Sequence, residues 1–232
     1  MSDFHLTLPS EGLNVHAYGP ESVANFLRET ISAGRIRPGA KLPEVQLTSQ
    51  LKVSRHTLRS AFQILAEEGL VERQPNRGVF VHTPTADDIR EIYRTRRIVQ
   101  TGVVRTVDLT EADLSRLWAA VTSGQEALES GDETTMAWAN QEFHREFVAL
   151  ARTRMLSVLM DQILARMRLV FLAKEGDGSY HAEYVTRNLD LARLLTPGRE
   201  QEAEAALLDY LDHAESQLLA RLDEVGPDAQ AR

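Results

Sequence analysis

The sequence contains no cysteine among its 232 residues. A chain without thiols has no disulfides, no thiolate zinc site and no cysteine nucleophile. No apolar run reaches the roughly 18 residues that a membrane helix needs. Residues 1–19 lack the basic segment and apolar stretch of a secretory signal. We therefore expect a cytoplasmic protein without membrane partners.

Several motifs that mark enzymes are also missing. The sequence has no P-loop, no G-x-G-x-x-G, no H-E-x-x-H and no nucleophile elbow with histidine and aspartate partners. It has no internal repeat and no low-complexity tract. These absences disfavour a catalytic role.

The length of 232 residues fits two domains. The net charge of −8 is unevenly placed, since residues 1–84 hold 9 Lys and Arg against 8 Asp and Glu, whereas residues 85–232 hold 17 against 26. A near-neutral head on an acidic body can still bind DNA if the basic groups of the head lie on one face.

Residues 20–83 combine three short helical patterns with a hairpin. The helices are predicted at 20–34, from Pro43-Glu44 to about Leu51 with Val45, Leu47 and Leu51 facing inward, and at 55–68, where Ser54 is a good N-cap. Residues 70–73 and 79–82 read as strands around a tip at 74–78. This order predicts a winged helix-turn-helix, preceded by a flexible arm over 1–19.

Residues 84–225 are predicted to be all helical, followed by a tail over 226–232. Thr85 is a candidate cap, and the helices are expected at about 86–107, 111–129, 132–152, 154–174, 179–195 and 199–223. The fold is therefore mainly α, with an antiparallel helical bundle as its second domain. We expect Met155, Leu159, Ile163 and Met167 to be core, and Trp118 and Trp138 to be core or dimer interface.

The third helix of the head begins with residues suited to DNA. A recognition helix places its N-terminal side chains on base edges in the major groove. Arg55 can donate two hydrogen bonds to guanine, and Arg59 lies one turn further on the same face. The candidate DNA contacts are Ser54, Arg55, His56, Thr57 and Arg59 on the helix, and Asn76, Arg77 and Gly78 at the wing tip.

In residues 20–82 the stretches LRETISAGRIRPGAKLPEVQL, VSRHTLRSAFQILAEEGLVER and PNRGVFV occur in the order typical of one family. This part resembles the DNA-binding domain of GntR-family regulators. The body resembles the FCD type in its short, six-helix form, through residues 88–97 and through the stretch from Asn140 to His144. The resemblance implies a homodimeric repressor that binds an operator in double-stranded DNA and a small-molecule effector, with activation left open.

The resemblance also implies an effector pocket inside the bundle. Its candidate residues are Arg96, Asn140, His144, Asn188 and Tyr210, and Arg96 suits a carboxylate effector. Many FCD domains bind a divalent metal such as zinc, nickel or manganese through Asp-x-x-x-His and two later histidines. Here only His144 and Asn140 are candidate ligands, and His181 or His213 would join only under a shifted alignment. Gln100 replaces a usual acidic residue, so we expect a degenerate metal site.

Alternatives remain at this point. Arg96 could be a surface or interdomain ion-pair residue, and His144 could be an ordinary core histidine. The whole chain could be an enzyme with a fused helix-turn-helix, or an architectural DNA-binding protein without a ligand. Turnover of its own effector would favour the first, and the absence of any stabilising compound would favour the second.

Overall fold

The structure is a computed structural model that describes residues 19–173 and 179–224. It divides the chain into two compact units. The first contains the described residues up to Pro84 together with Ala165–Ala173, and the second contains Thr85–Leu164 and residues 179–224. Residues 1–18 of the predicted arm and the predicted tail over 226–232 lie outside the described residues.

The first unit is a winged helix-turn-helix. Its elements are α1 (Pro20–Ser32), β1 (Lys41–Leu42), α2 (Glu44–Leu51), α3 (Arg55–Glu67), β2 (Val71–Gln74) and β3 (Gly78–Val81). The strands form an antiparallel sheet in the order β1-β3-β2, with Lys41 opposite Phe80 and Val71 opposite Val81. The two-residue strand β1 was not predicted, because it is too short to show an alternating pattern.

A continuous apolar core fixes α3 within this unit. Leu58, Phe62 and Leu65 of α3 are fully buried, as their helical spacing predicts. They belong to the same core as Leu27 of α1. The prediction that Val45 faces inward is wrong, because Val45 is 68% exposed. Helix α2 spans only two turns, and its buried residues are Leu47 and Leu51.

The turn between α2 and α3 includes a strained residue. Lys52 ends α2 with φ 52 and ψ 41, a left-handed conformation that is costly for a residue with a side chain. Ser54 then caps α3, and its side chain accepts a hydrogen bond of 3.0 Å from the backbone N–H of Thr57. The prediction of Ser54 as N-cap is confirmed.

Replacing Lys52 with glycine should therefore stabilise the first unit. Glycine adopts left-handed angles without the steric cost of a Cβ, so we expect a net gain of about 0.5–1 kcal/mol in the free energy of unfolding, the larger chain entropy of glycine included. Urea denaturation measures this, with Lys52→Ala as a control that keeps a Cβ. An equal stability of Lys52→Gly and Lys52→Ala would contradict the strain argument.

Six helices form the rest of the described chain. They are α4 (Ala86–Thr106), α5 (Ser115–Ser130), α6 (Glu133–Ala149), α7 (Arg154–Leu172), α8 (Ser179–Leu194) and α9 (Glu200–Glu224). Helix α4 begins with the predicted cap, in which Thr85 and Asp88 exchange hydrogen bonds as a capping box. No helix among the described residues is long and apolar enough to cross a membrane.

Exposure corrects the expectation for Met155 and decides one alternative for the two tryptophans. Met155, expected in the core, is 81% exposed, whereas Ile163 and Met167 of the same helix are buried. Trp118 and Trp138 are 37% and 56% exposed, which excludes the core alternative for them. Met155 lies in the first turn of α7. The spacing of apolar residues extends into this turn, but the buried surface of the helix does not.

The last turns of α7 belong to the first unit. Leu169 is buried in the core of the winged helix, and Arg168 Nε donates a 2.8 Å hydrogen bond to the backbone oxygen of Ser32 at the end of α1. A Cβ on Gly34, whose φ is +75°, would lie 2.8 Å from Leu172 Cδ2. This part of α7 therefore closes the apolar core beside α1, although about 80 residues separate it in sequence from β3.

Candidate functional site

The N-terminus of α3 presents a free arginine to solvent. Arg55 and His56 are exposed. Arg55 makes no hydrogen bond or ion pair with any residue that the structure describes. The hydroxyl groups of Ser54 and Thr57 lie 2.8 Å apart, so these two side chains bond to each other at the helix start. Arg55 can therefore contact a base without breaking an existing interaction.

Arg59 differs from Arg55 in having a partner. Its Nε donates to Glu44 Oε2 at 3.1 Å, across α2 and α3. The Arg59 side chain is 59% exposed, and exposed ion pairs contribute at most about 1 kcal/mol. A phosphate could compete for Arg59 at a small cost.

Two basic side chains, Arg77 of the wing tip and Lys41 of β1, lie near the aromatic ring of Phe80. Arg77 Cζ lies 5.4 Å and Lys41 Nζ 5.9 Å from the centroid of Phe80. Asn76 has φ 61 and Gly78 has φ 113, the angles of a tight turn between β2 and β3. Asn76, Arg77 and Gly78 are all exposed, so the predicted wing contacts are available to a ligand.

The second unit contains a buried group of polar side chains, which we call the polar cluster. Its members are Arg96 and Gln100 of α4, Asn140 and His144 of α6, Asn188 of α8 and Tyr210 of α9. Five of the six are at most 4% exposed, and Asn140 is partly buried. The structure thus brings together all five side chains predicted for the effector pocket.

Hydrogen bonds run through the whole cluster. Arg96 Nη2 lies 2.8 Å from His144 Nε2, and Arg96 Nε donates to Gln100 Oε1 at 3.2 Å. The amide nitrogen of Gln100 lies 3.0 Å from His144 Nδ1. His144 Nε2 also lies 2.9 Å from the Tyr210 hydroxyl, so the imidazole ring is the centre of the cluster.

Asn140 is the acceptor at the other end of the cluster. The Tyr210 hydroxyl donates to Asn140 Oδ1 at 3.0 Å, and Asn188 Nδ2 donates to the same oxygen at 2.9 Å. Asn188 Oδ1 is buried and has no hydrogen-bond partner among the described residues. Four helices are therefore connected by one polar network.

Burial sets the charge of the cluster. Burial and the neighbouring guanidinium of Arg96 lower the pKa of His144 well below 6.5, so its ring is neutral at pH 7. Burial raises the pKa of Tyr210 well above 10, which keeps its hydroxyl protonated. Within the described residues no carboxylate forms an ion pair with Arg96. The cluster therefore holds the buried guanidinium of Arg96 with no carboxylate partner in the part of the chain that the structure describes.

Tyrosine rings line one side of the cluster. Arg96 Cζ lies 5.0 Å from the centroid of the Tyr93 ring, and Tyr184 packs edge-on against Tyr210 with centroids 5.2 Å apart. Tyr180 continues the stack at 4.7 Å from Tyr184. Of these rings, Tyr93 covers the guanidinium of Arg96.

One member of the cluster, Gln100, and one neighbour, Tyr93, were not predicted as site residues. Gln100 lies one turn after Arg96 on the same face of α4, and Tyr93 lies one turn before it. The i, i+4 spacing from Arg96 would have identified Gln100. The two alternative histidines contact residues outside the polar cluster: His213 Nε2 lies 2.8 Å from Glu183 Oε1, and the ring of His181 packs edge-on against Tyr180.

The same geometry bears on the metal prediction. Among the described residues no three His, Asp or Glu side chains lie close enough together to hold a metal ion. Of the two candidate ligands, His144 faces the guanidinium of Arg96 and Asn140 Oδ1 already accepts two hydrogen bonds. No firm cofactor is supported.

Comparison with known families matches both units. Residues 20–81 match the family described as "Bacterial regulatory proteins, gntR family", and residues 91–213 match the FCD domain. The second match alone covers more than half of the chain. Both agree with the helix-turn-helix and the helical bundle described above.

Similar proteins are transcriptional regulators. The chain is 27% identical to the HTH-type transcriptional regulator YdhC of Bacillus subtilis, over 82% of this chain and 84% of that protein. It is 28% identical to the Nta operon transcriptional regulator of Aminobacter aminovorans, over 79% and 86%. A crystal structure of a transcriptional regulator GntR from Rhodococcus sp. RHA1 is 38% identical, with a TM-score of 0.79 over 87% of this chain and 97% of that one. None of the three is named as an enzyme.

Proposed function

Because this chain belongs to the GntR family of transcriptional regulators and carries an FCD domain, we propose that it is a repressor that leaves a pseudo-palindromic operator when a small molecule binds its helical body. The head supplies the DNA-binding surface, and the body supplies the sensing pocket. The protein would work in the cytoplasm, where bacterial DNA lies.

The observation that carries the sensing role is the polar cluster around His144. Polar groups cost free energy when they leave water, and an unpaired charge costs most. Arg96 is 3% exposed and has no carboxylate partner among the described residues, although an aliphatic residue would pack there without that cost. Such a costly arrangement in a bundle core is typical of a ligand site.

The DNA contacts of this proposal lie on α3 and on the wing. Arg55 and His56 would contact base edges, because they occupy the exposed start of α3. Ser54, Thr57 and Arg59 would bind the backbone beside them. Asn76, Arg77 and Gly78 would contact a phosphate or the minor groove, since the turn between β2 and β3 is exposed.

A homodimer is part of the same proposal. A pseudo-palindrome presents two equivalent half-sites, which two copies of one head can bind together. Trp138 lies beside a groove between α5 and α6 lined by Arg116, Ala119, Ala139 and Glu142, among others. Exposed large apolar side chains often mark an interface, and the exposed Trp138 supports pairing through this face.

Selection of binding sites from a random duplex library tests the proposal. We expect an enriched site with two inverted half-sites, bound by two chains, and gel filtration with light scattering should give a dimer. A small molecule that raises the Tm should also lower operator affinity, because coupling between the two sites is reciprocal. A monomer that binds an unrepeated site would contradict the dimer model. Operator binding that no stabilising compound changes would favour an architectural protein.

A further inference from the structure

Three side chains lie together on the outward face of the small sheet. Lys41 of β1 and Glu72 of β2 are the direct neighbours of Phe80, because β3 lies between the other two strands. Residues opposite each other in an antiparallel pair point to the same face of the sheet. Phe80 is partly buried and Lys41 is exposed, whereas Val79 and Val81 of the same strand as Phe80 are buried. The face that carries Phe80 is therefore directed to solvent.

Two cations share the ring of Phe80. Lys41 Nζ lies 5.9 Å and Arg77 Cζ lies 5.4 Å from the ring centroid. A Cβ on Gly78 would lie 3.3 Å from Lys41 Cε, so the glycine leaves room for the lysine stem beside the wing tip. The negative face of an aromatic ring attracts a cation. The ring therefore holds two positive charges close to each other.

Glu72, which shares this face, contacts other residues. Its Oε1 accepts a 2.6 Å hydrogen bond from Gln74 Nε2, and its Oε2 lies 3.5 Å from His82 Nδ1. Neither Lys41 nor Arg77 forms an ion pair with any residue that the structure describes. Like charges that are held together repel each other, so an anion that contacts both cations would be favoured here.

We propose that Lys41 and Arg77 bind the phosphate backbone of DNA, and that Phe80 is the positioning residue for both cations. Lysine binds a phosphate as a point charge and arginine binds it as a planar fork. The proposal rests on the proposed function, because it adds Lys41 to the DNA-binding surface and assigns Arg77 to a phosphate rather than to the minor groove. Lys41 was not predicted as a contact, since its position beside Arg77 depends on the pairing of β1 with β3.

The salt dependence of DNA binding tests the phosphate contact. Each phosphate that a protein neutralises adds about 0.9 to the slope of log Kd against log salt concentration. We expect Lys41→Ala and Arg77→Ala each to lower this slope by about 1 in the full-length protein. Each should also weaken binding of the selected operator and of an unrelated duplex of equal length by the same factor. Lys41→Arg, which keeps the charge, and Arg90→Ala, which removes an exposed charge from α4, should keep the wild-type slope.

A second pair of variants tests the ring. Phe80→Leu keeps both cations but removes the aromatic face, whereas Phe80→Tyr keeps that face. We expect Phe80→Leu to weaken binding of both duplexes several-fold at fixed salt, and Phe80→Tyr to bind them as the wild type does. Both titrations are made below the Tm of the less stable variant. Equal affinities of the two variants would overturn the positioning role of Phe80.

The outcomes separate this site from the proposed function. An unchanged slope in Lys41→Ala, with normal operator binding, would overturn the phosphate contact and leave the regulator model intact. A loss confined to the selected operator would mean that Lys41 contacts a base, which also overturns it. If the slope is unchanged and inorganic phosphate at constant ionic strength raises the Tm of the wild type but not of Lys41→Ala, the cations bind a free phosphate rather than DNA. No binding of either duplex would overturn both proposals.

Discussion

Acidification should destabilise the protein through His144. Because burial and Arg96 lower the pKa of His144 in the folded state, the unfolded chain binds a proton below pH 6.5 that the folded chain does not take up. Stability rises with pH wherever the unfolded state binds more protons. The contribution is therefore fully present above pH 6.5 and is lost as the pH falls toward the folded pKa, by roughly 1–1.5 kcal/mol for each pH unit.

Urea denaturation at pH 7, 6 and 5 checks this prediction. His144→Asn removes the titrating ring, so its free energy of unfolding should fall less steeply with pH than that of the wild type, whatever its absolute stability. His56→Asn makes the same change at the exposed start of α3 and should keep the wild-type slope. Parallel pH profiles for wild type and His144→Asn would refute the assignment.

Removal of Arg55 should have the largest effect on operator binding. Arg55 is exposed and has no partner among the described residues, so the free protein loses nothing when the side chain is removed. A bidentate contact to guanine contributes about 1–3 kcal/mol of discrimination. We therefore expect Arg55→Ala to weaken the selected operator by about 1–3 kcal/mol and to relax base preference at one position of each half-site.

Fluorescence anisotropy at fixed salt measures this effect. Arg59→Ala should weaken binding less, because Arg59 must first give up its contact with Glu44. Arg90→Ala removes an exposed charge from the second unit and should leave the affinity nearly unchanged. Unchanged base preference in Arg55→Ala would mean that another side chain contacts that base.

Much of the fold follows from local patterns. The six helices of the body and the three of the head were predicted because apolar residues recur at helical spacing and because Ser54 and Thr85 are good caps. Helix ends shifted by a few residues, as for α5, which begins at Ser115 rather than near residue 111. A cap depends on a few consecutive residues, whereas the residue at which a helix ends also depends on its packing against distant parts of the chain.

Features that depend on distant residues were missed. Strand β1, in which Lys41 pairs with Phe80 of β3, has only two residues, and two residues show no strand pattern in the sequence. Helical spacing alone predicted that Val45 and Met155 are buried, but no element among the residues that the structure describes covers them. The packing of Leu169 in the core of the head could not be predicted either, since nothing near Leu169 in sequence indicates its partners.

The candidate site was predicted by resemblance and extended by geometry. Arg96, Asn140, His144, Asn188 and Tyr210 were predicted together, and they do lie within one network. Composition could not show which atoms of this network face each other, because that depends on the packing of four helices. The contacts of Gln100 with Arg96 and His144 could not be predicted from composition for the same reason.

The discontinuous first unit has a consequence for synthesis on the ribosome. Residues 20–84 emerge early, but the core they form also contains Leu169 and the turn of α7 around it. At translation rates of about 5–20 residues per second, the head would wait roughly 4–16 seconds for its last segment. During that interval the nascent winged helix exposes an apolar face beside α1, so chaperone contact with the nascent chain should concentrate there.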